Sequence, residues 1–293
     1  MIKNAIFAGS VLALLAVSLL YAYQRDIIYS ANIPIGSRTQ IDLPSDYGMS
    51  NYEQVKIVTK DKLNLDAYLI KRHGDSNIYK SNKSTNGTTI LYLHANAGNM
   101  GHRLPIARIL YNLFDCNILM LSYRGYGRSE GSPSEKGLKM DVDAAMEFLK
   151  QNPTTKNTKI VVYGQSIGGA VAIDTAYRYK EIDAMIVENT FTSLPDVVEH
   201  LFPYVWFIRY FIKDSWESKS KIGSISVPML FLSGKKDSLV PPKHMLELVT
   251  IARNNGGKFK VTSEEFEDGD HNDTCAQKGY FEAIQRWWKN LTL

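Results

Sequence analysis

The chain has 293 residues and a mass of 33.1 kDa, a length that suits one large α/β domain or two small ones. Its composition is 44% hydrophobic, 22% charged and 11% aromatic, which excludes a largely disordered, collagen-like or disulfide-scaffold protein. The 34 basic residues are scattered and give a net charge of only +4 against 30 acidic residues. Nucleic acid is therefore not an expected partner, whereas an anionic membrane surface remains allowed.

The amino terminus carries an apolar segment without a charged residue over residues 5–23. About 20 apolar residues in a helix cross the hydrocarbon core of a bilayer. No small-x-small cleavage site follows the segment, which favours an uncleaved anchor over a signal peptide or a buried helix. We therefore expect residues 1–23 to form a single transmembrane helix, in the endoplasmic reticulum or another endomembrane. Sequons at Asn82, Asn86 and Asn290 would permit a lumenal body but do not demonstrate one.

Residues 24–50 contain prolines and glycines without periodicity and predict a linker to a domain over residues 51–293. In that domain strand-like and helix-like patterns alternate. Strands are predicted at 54–59, 63–71, 89–94, 117–123, 159–164, 184–188, 228–233 and 259–264. Helices are predicted near 102–114, 135–151, 167–179, 243–254 and 276–289. The first two strands alternate like an antiparallel edge hairpin, and the middle ones are continuously apolar, as in parallel strands buried on both faces. This pattern predicts an α/β fold, a mostly parallel sheet with helices on both faces and a site at the carboxyl ends of its strands.

Two stretches interrupt the alternation. Residues 73–88 are polar and rich in turn residues, and we interpret them as a solvated loop. Residues 191–227 are longer than an ordinary connection and contain the sequence PYVWFIRYFI. They are interpreted as a small apolar cap over a pocket, with a plain core helix as the alternative.

Gly164-Gln165-Ser166-Ile167-Gly168 is a G-x-S-x-G motif at the junction of a predicted strand and a predicted helix. A nucleophile on such a sharp corner needs small flanking residues, and the start of the helix directs free N–H groups at developing negative charge. The pattern therefore indicates Ser166 as a nucleophile and the Ile167 amide as an oxyanion donor. The alternative is a glycine-rich turn with an idle serine.

A serine nucleophile needs a base, and the base needs an acid to orient it, in the chain order Ser…Asp/Glu…His on this architecture. His271 lies in a turn between the last strand and the last helix, whereas His244 begins a predicted surface helix. Asp237 follows the strand PMLFLSG and is the preferred acid, with Glu188 and Asp270 as rivals. The second oxyanion donor is expected from the loop over residues 94–99, whose other interpretation is a simple polar turn.

Four stretches of several residues each carry a resemblance to a known family: HANAGN at 94–99, SYRGYGRSEGSPSE at 122–135, YGQSIGGAVAID at 163–174 and ENTFTS at 188–193. Over residues 51–293 the chain resembles the α/β-hydrolase superfamily, and with its amino-terminal segment it resembles the membrane-anchored bud-emergence-type branch of fungi. Animal relatives of that branch include the α/β-hydrolase domain-containing protein 13 group. The resemblance implies an α/β-hydrolase fold with an eight-stranded sheet.

The resemblance also implies roles for individual residues: Ser166 as nucleophile, Asp237 as acid, His271 as base and the Asn96 amide as the second oxyanion donor. Where the family usually has glycine, this chain has Ala95. A requirement for positive φ at that position would therefore strain the loop. Arg124 and the glycines beside it are expected to form a structural turn.

Together these patterns predict a membrane-anchored serine hydrolase of the esterase or thioesterase type, which cleaves a carboxylic ester or acyl thioester through an acyl-enzyme. The expected substrate is a lipophilic acyl ester or an acylated protein, and no metal or organic cofactor is implied. A catalytically idle membrane scaffold in cell polarity or morphology is one alternative. A serine peptidase is another, although no acidic cluster or added domain suits a peptide terminus.

Overall fold

The computed structural model describes residues 18–19, 21–73, 87–257 and 260–291. Eight strands form one sheet: β1 (Tyr52–Val58), β2 (Asn64–Ile70), β3 (Thr88–Leu93), β4 (Asn117–Leu121), β5 (Lys159–Gln165), β6 (Ile182–Glu188), β7 (Met229–Gly234) and β8 (Val261–Phe266). Their order is β1-β2-β4-β3-β5-β6-β7-β8. The β1–β2 and β2–β4 pairs are antiparallel and all other pairs are parallel.

Each predicted strand overlaps an observed one, and the predicted α/β fold with a mostly parallel eight-stranded sheet is confirmed. The middle strands are buried along nearly their whole length, as their continuous apolar sequences require. The second strand of the predicted hairpin differs from an edge strand. Because β2 lies between β1 and β4, it is buried over six of its seven residues, in the pattern eBBBBBB.

Helices cover both faces of the sheet. They are α1 (residues 21–28), α2 (Leu104–Phe114), α3 (Glu135–Gln151), α4 (Ile167–Arg178), α5 (Leu194–Leu201), α6 (Lys219–Ile222), α7 (Lys243–Ala252) and α8 (Tyr280–Lys289). Shorter helical turns occur at Pro44–Tyr47, Gly101–Arg103, Pro203–Phe211, Arg253–Gly257 and Thr274–Ala276. One apolar core joins the sheet to α3, α4 and α7, and a second joins the opposite face to α2 and α8.

No helix within the described ranges is long and apolar enough to cross a membrane. Residues 1–17 and 20 of the predicted anchor lie outside the described residues, so the anchor stays a prediction. The predicted loop at 73–88 falls mostly outside them too, with the sequons at Asn82 and Asn86, as does Thr292 of the third sequon.

The segment predicted as a linker packs against the domain that follows it. Tyr29 and Met49 are buried. The side chain of Arg38 donates to the carbonyl oxygen of Gly127 at 2.7 Å and also to that of Gly125. The backbone after α1 is therefore held against the loop that follows β4.

The predicted cap region at 191–227 is neither a single helix nor buried along its length. It contains α5, the 3-10 stretch Pro203–Phe211 and α6. Its first half exposes Phe202 by 56% and Tyr204 by 97%, whereas Trp216 near its end is 1% exposed. A plain core helix therefore does not describe this region, and its covering of a pocket stays a prediction.

Candidate active site

Ser166 lies on the sharp turn between β5 and α4, with φ +56° and ψ −121°. A non-glycine residue with positive φ is strained, and such strain concentrates at functional sites. A Cβ atom at Gly164 would lie 2.1 Å from the carbonyl oxygen of Gly168, and one at Gly168 would lie 2.2 Å from that of Leu93. Both glycines of the motif are thus required by close backbone approach.

The structure brings His271 and Asp237 to Ser166. The Nε2 atom of His271 lies 2.9 Å from Oγ of Ser166, and its Nδ1 atom lies 2.7 Å from Oδ2 of Asp237. Because a carboxylate only accepts, Nδ1 donates to Asp237, and Nε2 of the neutral ring is left to accept from the serine hydroxyl. The three groups form one continuous hydrogen-bonded chain.

The surroundings hold this chain in place. Ser166, His271 and Asp237 are 8%, 6% and 5% exposed. The second carboxylate oxygen of Asp237 accepts from the amides of Leu239 at 3.0 Å and Val240 at 2.7 Å. One oxygen is thereby fixed by the loop after β7, and the other is directed at the imidazole.

Asn189 connects the elements that carry the acid and the histidine, and the sequence reasoning did not single it out. Its Nδ2 donates to the carbonyl oxygen of His271 at 3.2 Å and to Oγ1 of Thr274 at 2.9 Å. Its Oδ1 accepts from the amide of Gly234, at the end of β7, at 2.9 Å. It is buried at φ +44°. The only available signal was its position in the ENTFTS stretch.

The rival acids, Glu188 and Asp270, and the rival base, His244, make other hydrogen bonds. Glu188 is fully buried and accepts from the hydroxyls of Tyr163 at 2.8 Å and Tyr280 at 2.6 Å, and burial raises its pKa. Asp270 is exposed and accepts from the His271 amide at 2.8 Å, a bond that lowers its pKa. Neither carboxylate bonds the imidazole of His271.

His244 is buried, although it was predicted to begin a surface helix. Its Nδ1 lies 2.8 Å from Oγ1 of Thr192, which itself donates to Asp196 at 2.7 Å. Burial lowers the pKa of His244 to about 4. Within the described part of the chain, His244 makes no bond to Ser166.

The two expected oxyanion donors lie on adjoining elements. Ile167 is the first residue of α4, where backbone N–H groups have no partner within the helix. Asn96 lies in the loop after β3, and its side-chain Oδ1 accepts from the Ser30 amide at 2.8 Å and the Tyr126 hydroxyl at 2.9 Å. The segment after α1 thus helps to fix the loop that carries the Asn96 amide.

Ala95 does not strain this loop, because its φ lies outside the positive region. The preceding His94 is buried, with Nδ1 2.8 Å from the Ala95 carbonyl oxygen and Nε2 3.4 Å from the Tyr123 amide. A neutral ring protonated at Nδ1 satisfies both contacts. Burial lowers the pKa of His94 to about 3, so the ring stays neutral near pH 7.

Arg124 has the structural role expected of it. Its guanidinium pairs with Asp141 at 2.8 Å and with Asp61 at 2.9 Å, and its amide donates to Asp141 at 2.8 Å. These bonds fix the turn after β4. Across the described ranges, no group of three or more His, Cys, Asp or Glu side chains is arranged to hold a metal ion.

The comparisons with known proteins agree with this architecture. A family model described as the alpha/beta hydrolase fold matches residues 88–214. The Pyrococcus furiosus esterase Pf2001 shares the fold with a TM-score of 0.68 and 20% identity, over 86% of this chain and 94% of its own.

At least three relatives match nearly the whole chain. Protein bem46 of Schizosaccharomyces pombe is 44% identical over 97% of this chain and 91% of its own length. The uncharacterized membrane protein YNL320W of Saccharomyces cerevisiae is 37% identical over 96% of this chain and 95% of its own. The chain therefore belongs to the α/β-hydrolase family, in the branch that contains protein bem46.

Proposed function

We propose that this protein is a membrane-anchored serine hydrolase that cleaves a carboxylic ester or an acyl thioester. One observation carries the proposal: the unbroken hydrogen-bonded chain from Ser166 Oγ through the His271 ring to Asp237 Oδ2. An idle serine on a glycine-rich turn has no need of this arrangement. The strained φ of Ser166 and the burial of all three side chains support the same conclusion.

In this proposal Ser166 attacks the acyl carbonyl carbon while Nε2 of His271 takes the hydroxyl proton. Asp237 holds the ring with Nδ1 protonated and stabilises the imidazolium that forms. The imidazolium then gives its proton to the departing alkoxide or thiolate, which leaves an acyl-serine ester. Water activated by His271 attacks this ester, the acid is released and the proton returns to Ser166.

The negative charge of each tetrahedral intermediate is assigned to the amides of Ile167 and Asn96. The first is supported by its place at the start of α4, where the helix dipole adds to the N–H group. The second is supported by the loop that Ser30 and Tyr126 hold through the Asn96 side chain. We assign the Asn96 amide as the donor on the resemblance to the family.

The substrate is proposed to be a lipophilic acyl ester or an acylated protein at a membrane. The uncharged run at residues 5–23 and the exposed aromatic side chains of the cap region support this class. A relative named as a membrane protein adds to it. The endoplasmic reticulum or another endomembrane is the compartment that we propose.

A fluorophosphonate probe, which reacts only with an activated serine, tests the proposal on detergent-extracted full-length protein. We expect wild type to be labelled, and Ser166→Ala and His271→Ala to be unlabelled. His244→Gln is the matched histidine control and should keep its labelling, because His244 does not contact the serine. A panel of acyl esters, acyl thioesters and peptide anilides then separates esterase or thioesterase from peptidase activity.

If the wild-type protein is not labelled although its thermal unfolding transition shows that it is folded, the proposal of an active triad is wrong. The competing hypothesis, an idle scaffold of cell polarity or morphology, would then take its place. In cells, that scaffold predicts that Ser166→Ala preserves the biological role while removal of the predicted anchor abolishes it.

A further inference from the structure

Residues 201–212, which we call the aromatic cap, read LFPYVWFIRYFI and contain a single charged side chain. Among them Phe202 is 56%, Tyr204 97% and Phe211 50% exposed. The nine residues from Pro203 to Phe211 form a 3-10 stretch, which at about 2 Å per residue extends over about 18 Å. A run of exposed aromatic residues of this length is unusual on a water-facing surface.

The one charge in the aromatic cap is directed back at the protein. The Arg209 guanidinium lies 3.1 Å from Oδ1 of Asp196 and also pairs with Glu199. Both partners belong to α5. Phe202, Tyr204 and Phe211 therefore present their rings to solvent, and the one guanidinium of the cap is neutralised by carboxylates of α5.

The carboxyl end of the aromatic cap is bonded to α1, the helix that continues the uncharged run at 5–23. Gln24 donates to the Phe211 carbonyl oxygen at 3.2 Å and accepts from the Lys213 amide at 2.7 Å. Arg25 forms two bonds to Asp214, of 3.0 and 3.2 Å. The cap and the chain that leaves the predicted anchor are thereby held at the same end of the molecule.

The exposed side of α1 continues the apolar surface. Tyr23 and Ile27 are largely exposed, and the ammonium of Lys213 lies 4.0 Å from the centre of the Tyr21 ring. Tyrosine and lysine at the end of an apolar segment are the residues that lie at the headgroup level of a bilayer.

We propose that the aromatic cap lies in the interfacial layer of the same bilayer that holds the predicted anchor. The bonds from Gln24 and Arg25 place the cap beside the point where the anchor leaves the hydrocarbon. A surface with exposed rings, its one charge neutralised by α5 and basic side chains at its edge matches a segment lying in that layer. This inference rests on the anchor in the proposed function, and it makes the cap a second membrane contact beside that anchor.

The position of the cap also bears on the site. The chain enters the cap region from the end of β6, where the Thr190 hydroxyl donates to the carbonyl oxygen of Ser166 at 2.8 Å. The aromatic cap is therefore joined to the turn that carries the nucleophile by a short stretch of chain, residues 191–200. A cap set in the bilayer would hold this stretch, and with it the site, close to the lipid that carries the proposed substrate.

The experiment uses full-length protein, with Cys275→Ser as background, reconstituted in phosphatidylcholine vesicles. An environment-sensitive nitrobenzoxadiazole dye is attached at Tyr204→Cys in one sample. In the matched control it is attached at Tyr177→Cys, an exposed tyrosine near the end of α4. Lipids carrying a nitroxide high on the acyl chain should quench the dye at position 204 at least about twofold more than the dye at position 177.

Two results would overturn the proposal, and neither depends on hydrolytic activity. Equal, weak quenching at both positions would show that the cap faces water. A blue-shifted dye at position 204 that lipid nitroxides do not quench would show that protein, such as a second copy of the chain, covers the cap.

Activity provides a separate readout. Phe202→Ser with Tyr204→Ser should lower hydrolysis of a long-chain ester in vesicles by about fivefold or more and leave hydrolysis of a water-soluble short ester unchanged. Equal losses on both esters would mean that the cap acts on the site and not on the membrane. A wild-type protein that the fluorophosphonate does not label, by contrast, would count against the proposed triad and not against the membrane contact of the cap.

Discussion

Replacement of Asp237 by asparagine should place the His271 proton on the wrong nitrogen. The amides of Leu239 and Val240 both donate to Oδ1 of Asp237, so the oxygen of the new amide has to occupy that position. Its NH2 group then faces Nδ1 of His271 and can only donate. The ring has to carry its proton on Nε2, which can no longer accept from Ser166.

The structure also bounds the loss. Turning the amide over would restore the correct tautomer but would break both backbone bonds, each worth about 1–2 kcal/mol. At about 1.4 kcal/mol per tenfold, that route lowers the rate by about 30- to 700-fold. Without it, a wrong tautomer costs about 10⁴ in a triad of this kind. We therefore expect kcat/KM to fall by between about 30-fold and 10⁴-fold.

The assay is the hydrolysis of a water-soluble ester, with the fluorophosphonate labelling rate as a second measure. Asp270→Asn is the matched control, because Asp270 bonds the His271 amide but not its ring, and it should lose less than about tenfold. Urea midpoints within error of wild type establish that both variants fold. An Asp237→Asn variant that stays within tenfold of wild type would refute the reasoning, as would equal losses in both variants.

Three further predictions concern Gly168 in the turn that carries Ser166, Asn189 after β6 and the buried His94. Gly168→Ala should lower the free energy of unfolding by about 1–3 kcal/mol and slow labelling, because its Cβ meets backbone. In Gly223→Ala the new Cβ meets a flexible side chain instead, and a loss as large as that of Gly168→Ala would contradict the steric argument. Asn189→Ala should be less stable than Asn189→Gly by about 1 kcal/mol, because only glycine relieves the φ of +44°. Both Asn189 variants should react with the fluorophosphonate more slowly than wild type, because the loop that carries His271 loses its bonds to Asn189. A labelling rate equal to that of wild type would show that this loop keeps its position without Asn189. The pKa of His94 is lowered to about 3 in the folded state, so as the pH falls the unfolded chain binds this proton at a higher pH than the folded chain does. The stability that is present above about pH 6.5 is therefore lost as the pH falls. Urea midpoints should report a loss of about 2–3 kcal/mol from His94 between pH 6.5 and 4.5, and His94→Gln should show a shallower pH dependence.

The strands and the elbow were predictable because their causes are local. A strand buried on both faces in a parallel sheet has to be apolar throughout, and this leaves a signature within a few residues. The turn at Ser166 leaves one as well, since glycines two positions on either side are required by contacts of 2.1 and 2.2 Å. The predicted strand boundaries differ from the observed ones by at most two residues, because pairing with neighbouring strands sets them.

The features that could not be predicted depend on contacts between distant parts of the chain. Residues 24–50 lack periodicity, yet the Asn99 side chain donates to the carbonyl oxygens of Ser37 and Gln40, both at 2.9 Å. Side chains that bind irregular backbone impose no repeat on the sequence. Asn189 was missed for a similar reason, because the partners of its side chain come from the end of β7 and from residues 270–274.

The position of a carboxylate along the chain identifies candidates for the acid but does not decide among them. Asp237, Glu188 and Asp270 all lie at or beyond strand ends, and order in the sequence favoured the first without excluding the others. The structure separates them by their partners, since Glu188 bonds two tyrosine hydroxyls and Asp270 bonds backbone. Only tertiary packing decides which carboxylate faces an imidazole.

The packing of residues 24–50 determines where the chain can be shortened for soluble production. A truncation that begins at residue 51 would remove Tyr29, whose hydroxyl accepts from the Trp216 indole at 3.0 Å, and Ser30, whose amide holds the Asn96 side chain. It would also uncover the apolar surface under Met49. A soluble version has to retain α1 and everything after it, because the fold relies on that stretch although its sequence resembles a tether.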